Sequence, residues 1–510
     1  MPRFKQMPMQ RNQLMLFGRS VEDAVPGDSD VRGFDEVMEC LDYSGIESKC
    51  SERGCPPYPP KVMLKLLGYA YSKCIRSSRR IEELAKVDVR FMWLVGGLKP
   101  DHNTIARFRK ENWVELEGLF KDSVRVCAEA GLVFLNVVST DGTKVEAAAS
   151  RRRVYSDSRL ERELEAVEKI LKEADEVDRA EDEVYGSGTV GQLPEDLRDA
   201  KARKAKLEGI AKRLKESKKA AVVETEPDAR VMMSGEGKRP GYNLQASVDA
   251  GNQVIVAMEL TQSENDSQQL PKMVEQLESN VGLSPDVVLA DCGYSSEASI
   301  KWIDESGQDV LMPIQEHPKD KDRNDLFASR CFMGDGQADV LICPAGRELT
   351  FRGEHRSGSG TYRRYCANAC QSCSFYRQCV HKGRKSRRVD VSVVAAQRKR
   401  LRERLESVEG RKLYALRQET VEPVFGQMKS NTCFARFLVW GHEGASAEAA
   451  LMCLAHNVMK CAARARQAAS RSALALTQML VGTLFGILVG RAGRRGTPAT
   501  LSIAPAAVGF

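Results

Sequence analysis

The sequence predicts an α/β protein, a mixed sheet core that carries two insertions and follows an all-α domain. Three observations carry that prediction. Apolar helical patterns fill residues 58–131 and give way at Leu132 to β-branched runs. Those runs come first as a hairpin and then as strands alternating with helices, the order that builds a mixed sheet. The sheet pattern is interrupted twice, by a charged helical stretch over 152–219 and by a Cys-rich stretch over 315–388. A chain of 510 residues has room for more than one folding unit.

Taken in order, residues 1–57 read as a loosely structured arm. Pro59-Pro60 open an apolar helix through Tyr71, with proline where the first turn tolerates it. A basic helix follows over Arg76 to Val87. Asp101 or Asn103 is a plausible N-cap for the next helix, which runs to Lys110. The helical unit ends near Gly131. Leu132 to Thr140 is strand-like and stops at Asp141-Gly142. Gly241 to Asp249 and Val254 to Met258 flank a Gly251-Asn252 turn and read as a hairpin. A helix near Gln268 to Leu277 leads to a short strand, Asp286 to Ala290, ending at Asp291. A second step repeats the pattern, with a helix over Ser296 to Asp304 and a strand over Val310 to Met312.

In the first insertion Leu160, Leu164, Val167, Leu171 and Ala174 recur by four and three, the spacing of a coiled-coil seam. Gly186-Ser187-Gly188 breaks it, and Leu207, Ile210 and Leu214 resume on the return. An antiparallel helical hairpin is the natural reading. A basic and then acidic helical stretch runs from Ala395 through Met428. The sheet domain spans 132–460, and residues 461–510 form a tail. Within the tail, Ala473 to Gly490 is mostly apolar and 18 residues long, the lower limit for a membrane span. Thr477, Gln478, Thr483 and two glycines weaken that reading, so a helix on the core or a tail is expected instead.

Composition bounds the class. Lys plus Arg (77) exceed Asp plus Glu (70) by seven, too little by itself to imply nucleic-acid binding. Aromatic residues, at 6%, argue against a carbohydrate-stacking groove. Met1 to Gln13 is polar, basic and Pro-interrupted, unlike a signal peptide. The expected compartment is therefore the reducing cytoplasm, where clustered cysteines suggest metal or packing more than disulfides.

Two positions stand out chemically. Asp141 and Asp291 each follow an apolar strand immediately and precede Gly142 and Cys292-Gly293. Carboxylates converging at strand ends suit hard cations such as Mg²⁺, which take oxygen ligands and retain waters. Taken singly, a strand-end Asp is more often a turn or cap residue. Glu422 lies seven residues before Lys429, so the two share a helix face, whereas Arg417 is about 140° round from Glu422. Pro423 belongs in a first turn or at a kink, which makes Glu422 a candidate helix-start residue. No nucleophile motif, phosphate-binding Gly-rich loop or nucleotide fingerprint is present. His456 reads as a packed helix residue.

Ser139-Thr140-Asp141-Gly142-Thr143-Lys144, Leu289-Ala290-Asp291-Cys292-Gly293-Tyr294 and Val421 through Lys429 together resemble bacterial insertion-sequence transposases of the DDE class. Tyr58-Pro59-Pro60 and Asp101 through Arg109 look like the helical domain that precedes the catalytic domain in that group, and Pro240 to Gln245 matches its second strand. The resemblance implies an RNase H-like core with Asp141, Asp291 and Glu422 as its triad, holding two Mg²⁺ or Mn²⁺ ions. It implies DNA strand cleavage by water and then strand transfer by a 3′-hydroxyl. Lys429 and Arg417 would contact phosphate. Arg417 is one position off the family spacing, with Gln418 where Arg is expected, and Glu419 is the competing acid. A DNA-binding protein without catalysis and a nuclease without strand transfer are the alternatives.

Cys343, Cys370, Cys373 and Cys379 form the preferred set for a structural Zn²⁺, with Cys366 or His381 as substitutes; the alternative is incidental buried thiols. Arg76, Arg79, Arg80, Arg107, Arg109 and Lys110 cluster in the N-terminal helices. A second basic block runs from Arg384 to Arg404. Beside a phosphodiester-cutting core, phosphate contact is the better account of both. The expected partners are the element's terminal inverted repeats and target DNA, bound by a homodimer or larger assembly on the nucleoid, with no membrane.

Overall fold

The computed structural model describes residues 20–49, 57–185, 195–217, 219–234, 237–314, 327, 331–332, 334, 339–357, 360–368, 370–380, 383–431 and 434–492. The chain opens with helices α1 (Val21–Ala24), α2 (Asp30–Glu39), α3 (Ser44–Glu47), α4 (Pro60–Ser72), α5 (Ser78–Val87), α6 (Val89–Leu94), α7 (His102–Glu111) and α8 (Trp113–Glu129). Pro60 opens α4 and Asp101 caps α7, accepting from the Asn103 and Thr104 amides at 2.9 and 3.0 Å. The α4 helix is buried on nearly every side, so it sits at the centre of this unit.

Residues 20–49 are ordered helices rather than a loose arm. Val31, Phe34, Val37 and Met38 form one apolar face of α2 and are buried in the main core. Interleaved Asp35, Glu36 and Gly33 dilute that face in the sequence and mask its period.

The sheet is built by β1 (Val137–Glu146), β4 (Arg230–Ser234), β5 (Gly237–Asp249), β6 (Ile255–Thr261), β7 (Val287–Leu289) and β8 (Asp309–Leu311). Its order is β4-β5-β1-β7-β8, with β6 also on β5. The β5 strand pairs antiparallel with β1, β4 and β6, while β1, β7 and β8 run parallel. Helices α11 (Leu270–Val281) and α12 (Glu297–Ser306) supply the crossovers. The first strand does not stop at Asp141 but continues to Glu146. Its partner β5 extends to match it, pairing Glu146 with Gly241, which gives the added backbone groups ladder partners.

The first insertion is an antiparallel helical hairpin, α9 (Asp157–Tyr185) and α10 (Glu195–Ser217), footed on a small ladder of β2 (Val154–Ser156) and β3 (Ala221–Val223). Leu160, Leu207, Ile210 and Leu214 form its own apolar cluster with Tyr155 and Val222. The Gly186-Ser187-Gly188 break lies outside the described residues.

The second insertion holds a four-stranded antiparallel sheet, β9 (Val340–Ile342), β10 (Glu348–Ser357), β11 (Gly360–Ala367) and β12 (Arg388–Ser392), with the short helix α13 (Tyr376–Cys379). It too has a separate apolar cluster, around Leu341, Leu349, Tyr365 and Val389.

Helices α14 (Ala395–Glu406) and α15 (Val408–Gly426) return the chain to the sheet. The α15 helix runs through Pro423, so Glu422 is inside it and not at its start. Proline removes the donor that the Glu419 carbonyl would use. The Gln253 side-chain amide donates to that carbonyl at 3.0 Å instead. Helix α16 (His442–Ala492) closes the fold. Its buried Ala445, Ala449, Leu451, Leu454 and Val458 join α2, α4, α8 and β6 in one continuous core. His456, on the same helix, is half-buried, and its Nε2 lies 2.8 Å from the Gln253 carbonyl; next to a carbonyl the ring nitrogen donates. The side chains of the 473–490 segment lie outside the described residues, among which no helix is long and apolar enough to cross a membrane.

Candidate active site

The parallel register brings two carboxylates together. Ser139 of β1 pairs with Leu289 of β7, so Asp141, two residues further along β1, and Asp291, two residues past Leu289 and beyond the end of β7, leave the pairing on the same side. Adjacent strands lie about 4.8 Å apart. Asp291 is extended and caps the turn that follows, accepting from the Gly293 amide at 2.7 Å. Asp141 sits in the sheet interior, and burial pushes its carboxyl up to about 6, with Asp291 and Asp266 adding to the rise and Arg417 opposing it.

Arg417, on α15, ties the third acid to this pair. Its Nη2 lies 2.8 Å from Asp141 Oδ2 and its Nη1 3.5 Å from Glu422 Oε1. The side chain's reach spans the 140° that separates the two positions on the helix. Lys429 is exposed just beyond α15, within range of the Asp141 charge. Glu419, the competing acid, is exposed, and its described contact is through its carbonyl. Tyr414, one turn before Arg417, is half-buried near Asp291 and Asp141.

A fourth carboxylate joins the site without a sequence signal to announce it. Asp266 lies in the loop after β6, and its Oδ1 accepts from Asn243 Nδ2 at 2.6 Å and Gln245 Nε2 at 2.5 Å. Lys144 Nζ is 3.6 Å away. Space for this carboxylate is made by glycine. A Cβ at Gly142 would fall 2.5 Å from Asp266 Oδ1, and one at Gly293 would fall 2.9 Å from Asp291 Oδ1. Asp266 stands in a polar loop with no strand or helix pattern to mark it.

Carboxylates alone make a donor set suited to hard divalent cations. Among the described residues no group of three or more His, Cys, Asp or Glu side chains is arranged to hold a metal ion. The Arg417 guanidinium occupies the space between Asp141 and Glu422, a cation already held by both acids.

The preferred cysteine set is gathered elsewhere. Cys343, Cys370, Cys373 and Cys379 line one cavity of about 30 Å³, with Leu349 and Tyr376 among its walls. The Arg347 and Arg387 amides donate to Cys343 Sγ and Cys370 Sγ, each at 3.3 Å. Cys343, Cys370 and Cys379 pack against the apolar cluster of the second insertion's sheet. Cys366 is outside this cavity, and His381 lies outside the described residues.

The basic clusters divide. Arg109 is buried, not at the surface: it donates to the Tyr71 hydroxyl at 2.7 Å and to the Arg76 carbonyl at 3.1 Å. Arg76 is buried as well, paired with Glu448 at 3.2 Å. Arg387 is inside the second insertion, donating to the Phe327 carbonyl at 3.0 Å. These three serve the core, because a buried guanidinium must spend its donors on protein acceptors. Arg107, Arg79 and Lys110 remain exposed.

Residues 19–111 match a family described as a transposase domain, and residues 342–462 match one described as a transposase DDE domain. Lying in that order along the chain, the two matches indicate an insertion-sequence transposase. The second match contains Arg417, Glu422 and Lys429, while Asp141 and Asp291 fall between the two. Among solved structures, a cryo-EM structure of the piggyBac transposase synaptic complex with hairpin DNA is similar over 84% of this chain and 81% of that one, at 9% identity and a TM-score of 0.24. No curated protein matches the chain.

Proposed function

We infer that the chain cleaves DNA at the ends of its insertion sequence and joins the freed ends to a target, using Asp141, Asp291 and Glu422 in an RNase H-like domain over 132–460. The observation that carries this reading is that parallel β1 and β7 bring Asp141 on β1 and Asp291 just past the end of β7 to one side of the sheet, with Arg417 linking Asp141 to Glu422. An antiparallel hairpin on three parallel strands supports the RNase H-like assignment. Asp141, Asp291 and Glu422 would hold the divalent ions, which supply water activation and stabilisation of the leaving oxygen at phosphorus.

The chain's own part is positioning and charge. Phosphodiester attack asks for little covalent help from side chains. Asp141 enters the site from a rigid strand, Asp291 from a capped turn and Glu422 from the second helical turn beyond Tyr414. Lys429, with Arg417 once it leaves the acids, presents positive charge to the phosphate. Exposed Arg107, Arg79 and Lys110 on the N-terminal helices (58–131) present a second cationic face to duplex DNA. Terminal repeats and target are the DNA partners, bound by a dimer or larger assembly on the nucleoid.

The test is a Mg²⁺-dependent cleavage and joining assay on duplexes carrying the terminal sequences that flank the coding sequence. Asp141→Asn, Asp291→Asn and Glu422→Gln should each abolish product, and Glu419→Gln should not. Full activity in Glu422→Gln would remove that residue from the triad. Cleavage without joining of a pre-cut 3′-hydroxyl end would make the protein a nuclease. Structural zinc at Cys343, Cys370, Cys373 and Cys379 is supported by their shared cavity and the two N–H···S bonds. Metal analysis of purified protein should find one zinc per chain, lost in Cys370→Ser.

A further inference from the structure

Asp266 is the hub of a polar network that reaches both strands of the site. On one side, Asn243 and Gln245 of β5 donate to its Oδ1, and both are fully buried. Their register partners on β1 are Lys144 and Gly142, immediately beyond Asp141. The Lys144 ammonium is buried at its tip, has no hydrogen-bond partner, and has Asp266 3.6 Å away. On the other side, the Gln245 side-chain carbonyl accepts from the Tyr294 hydroxyl. Tyr294 is fully buried and closes the turn that Asp291 caps. The carboxylate is thus linked through one amide to the turn bearing Asp291 and through the paired strand to the segment bearing Asp141.

We propose that Asp266 is a positioning residue that holds the Asp141 strand and the Asp291 turn in mutual register through Asn243, Gln245 and Tyr294. The proposal rests on Asp141 and Asp291 being catalytic. The groups that bond or pair with its Oδ1 are all donors, two amide NH₂ groups and one ammonium, which an anionic oxygen serves. Asp266 gives Gln245 a fixed orientation, its NH₂ to the carboxylate, which leaves its carbonyl aimed at Tyr294. Without the charge the amide is free to turn over, and the Tyr294 turn loses its anchor. A positioning role predicts loss of turnover with DNA binding intact, since no part of the network reaches the exposed basic surfaces.

Groups that orient the residues of a metal-dependent site change activity by about 10–100-fold when removed. Strand joining is measured with full-length protein, Mg²⁺ and a duplex carrying its own terminal sequence with a pre-cut 3′-hydroxyl. Asp266→Asn should lower kcat about tenfold or more with KM for the duplex unchanged. Tyr294→Phe should do the same to a smaller degree. The double variant should be no slower than Asp266→Asn alone, because both act through one network. Wild-type kcat in Asp266→Asn, or effects that multiply in the double variant, would overturn the proposal. If Asp266→Asn fails to fold, Tyr294→Phe decides alone: unchanged kcat overturns it. Asp141→Asn is the control, and its full activity would bring down the catalytic assignment together with the proposal.

Discussion

Asp141 holds a charge that its surroundings resist. Its carboxyl is raised from 3.8 to about 6 by burial, against the pull of Arg417. At 1.36 kcal/mol per pKa unit, ionised Asp141 costs the fold about 3 kcal/mol. Because the folded value is the higher one, the protonated acid favours folding. That contribution is complete below pH 3.8 and is lost as pH rises through about 6. Asp141→Asn should therefore melt higher than the parent at pH 8, and the gain should shrink as pH falls through about 6 and vanish below pH 3.8. A variant that loses stability at pH 8 relative to pH 4.5 would contradict this. His456 titrates in the opposite sense. Burial lowers it from 6.5 to about 4, so its contribution is complete above pH 6.5 and fades as pH falls toward 4. Urea unfolding at pH 7.5 and pH 5 should show a smaller acid loss in His456→Gln than in the parent.

At the scale of elements, α15 shows how an awkward residue is accommodated. Pro423 lies inside the helix, and the Gln253 amide takes over the Glu419 carbonyl that it orphans. Gln253 stands at the β5–β6 turn with φ +58° and is held in turn by Lys460 at 2.9 Å. Gln253→Ala should cost about 2 kcal/mol, the net value of the two hydrogen bonds its side chain makes. In a Pro423→Ala background the substituted position has its own N–H to offer that carbonyl, so the cost of Gln253→Ala should shrink. Chemical denaturation of the four proteins in that cycle checks it. The sheet strands, the helical hairpin and the Pro60 and Asp101 helix starts are legible in the sequence, because each rests on local signals: period, turn residues and caps. The place of Glu422 within its helix is not, because Gln253 lies about 170 residues upstream of the helix it completes. Asp266 is hidden for the same reason. A loop aspartate gains meaning only when Asn243, Gln245 and Lys144 arrive from other strands. Arg109 reads as a surface cation because its partners, Tyr71 and Arg76, are more than 30 residues away.

Across the whole molecule, the N-terminal helices share one core with β1, β5 and β6 of the sheet. That cluster reaches from Val25 to Ala462, whereas β7 and β8 with α12, and each insertion, pack in clusters of their own. A buried carboxylate sits at the junction. Glu448 is fully enclosed and accepts from Arg76 at 3.2 Å, the Tyr71 hydroxyl at 3.3 Å and the Leu438 amide at 2.7 Å. Removing one partner of such a pair strands a charge, at a cost of about 3–5 kcal/mol. Arg76→Met should lose that much in equilibrium unfolding, and adding Glu448→Gln should recover part of it. Equal stability of Arg76→Met and the parent would show that the pair does not secure the junction.

The reach of α16 sets a schedule for synthesis. Its residues 445–462 fill the space between the N-terminal helices and the sheet, so those helices leave the ribosome with an open apolar surface. At about 5–20 residues per second, the 331 residues from 131 to 462 take roughly 20–60 s to make. For that interval the nascent front half is exposed to chaperones and to neighbouring chains. The cationic helices reach their final arrangement only after every acid of the site has been translated.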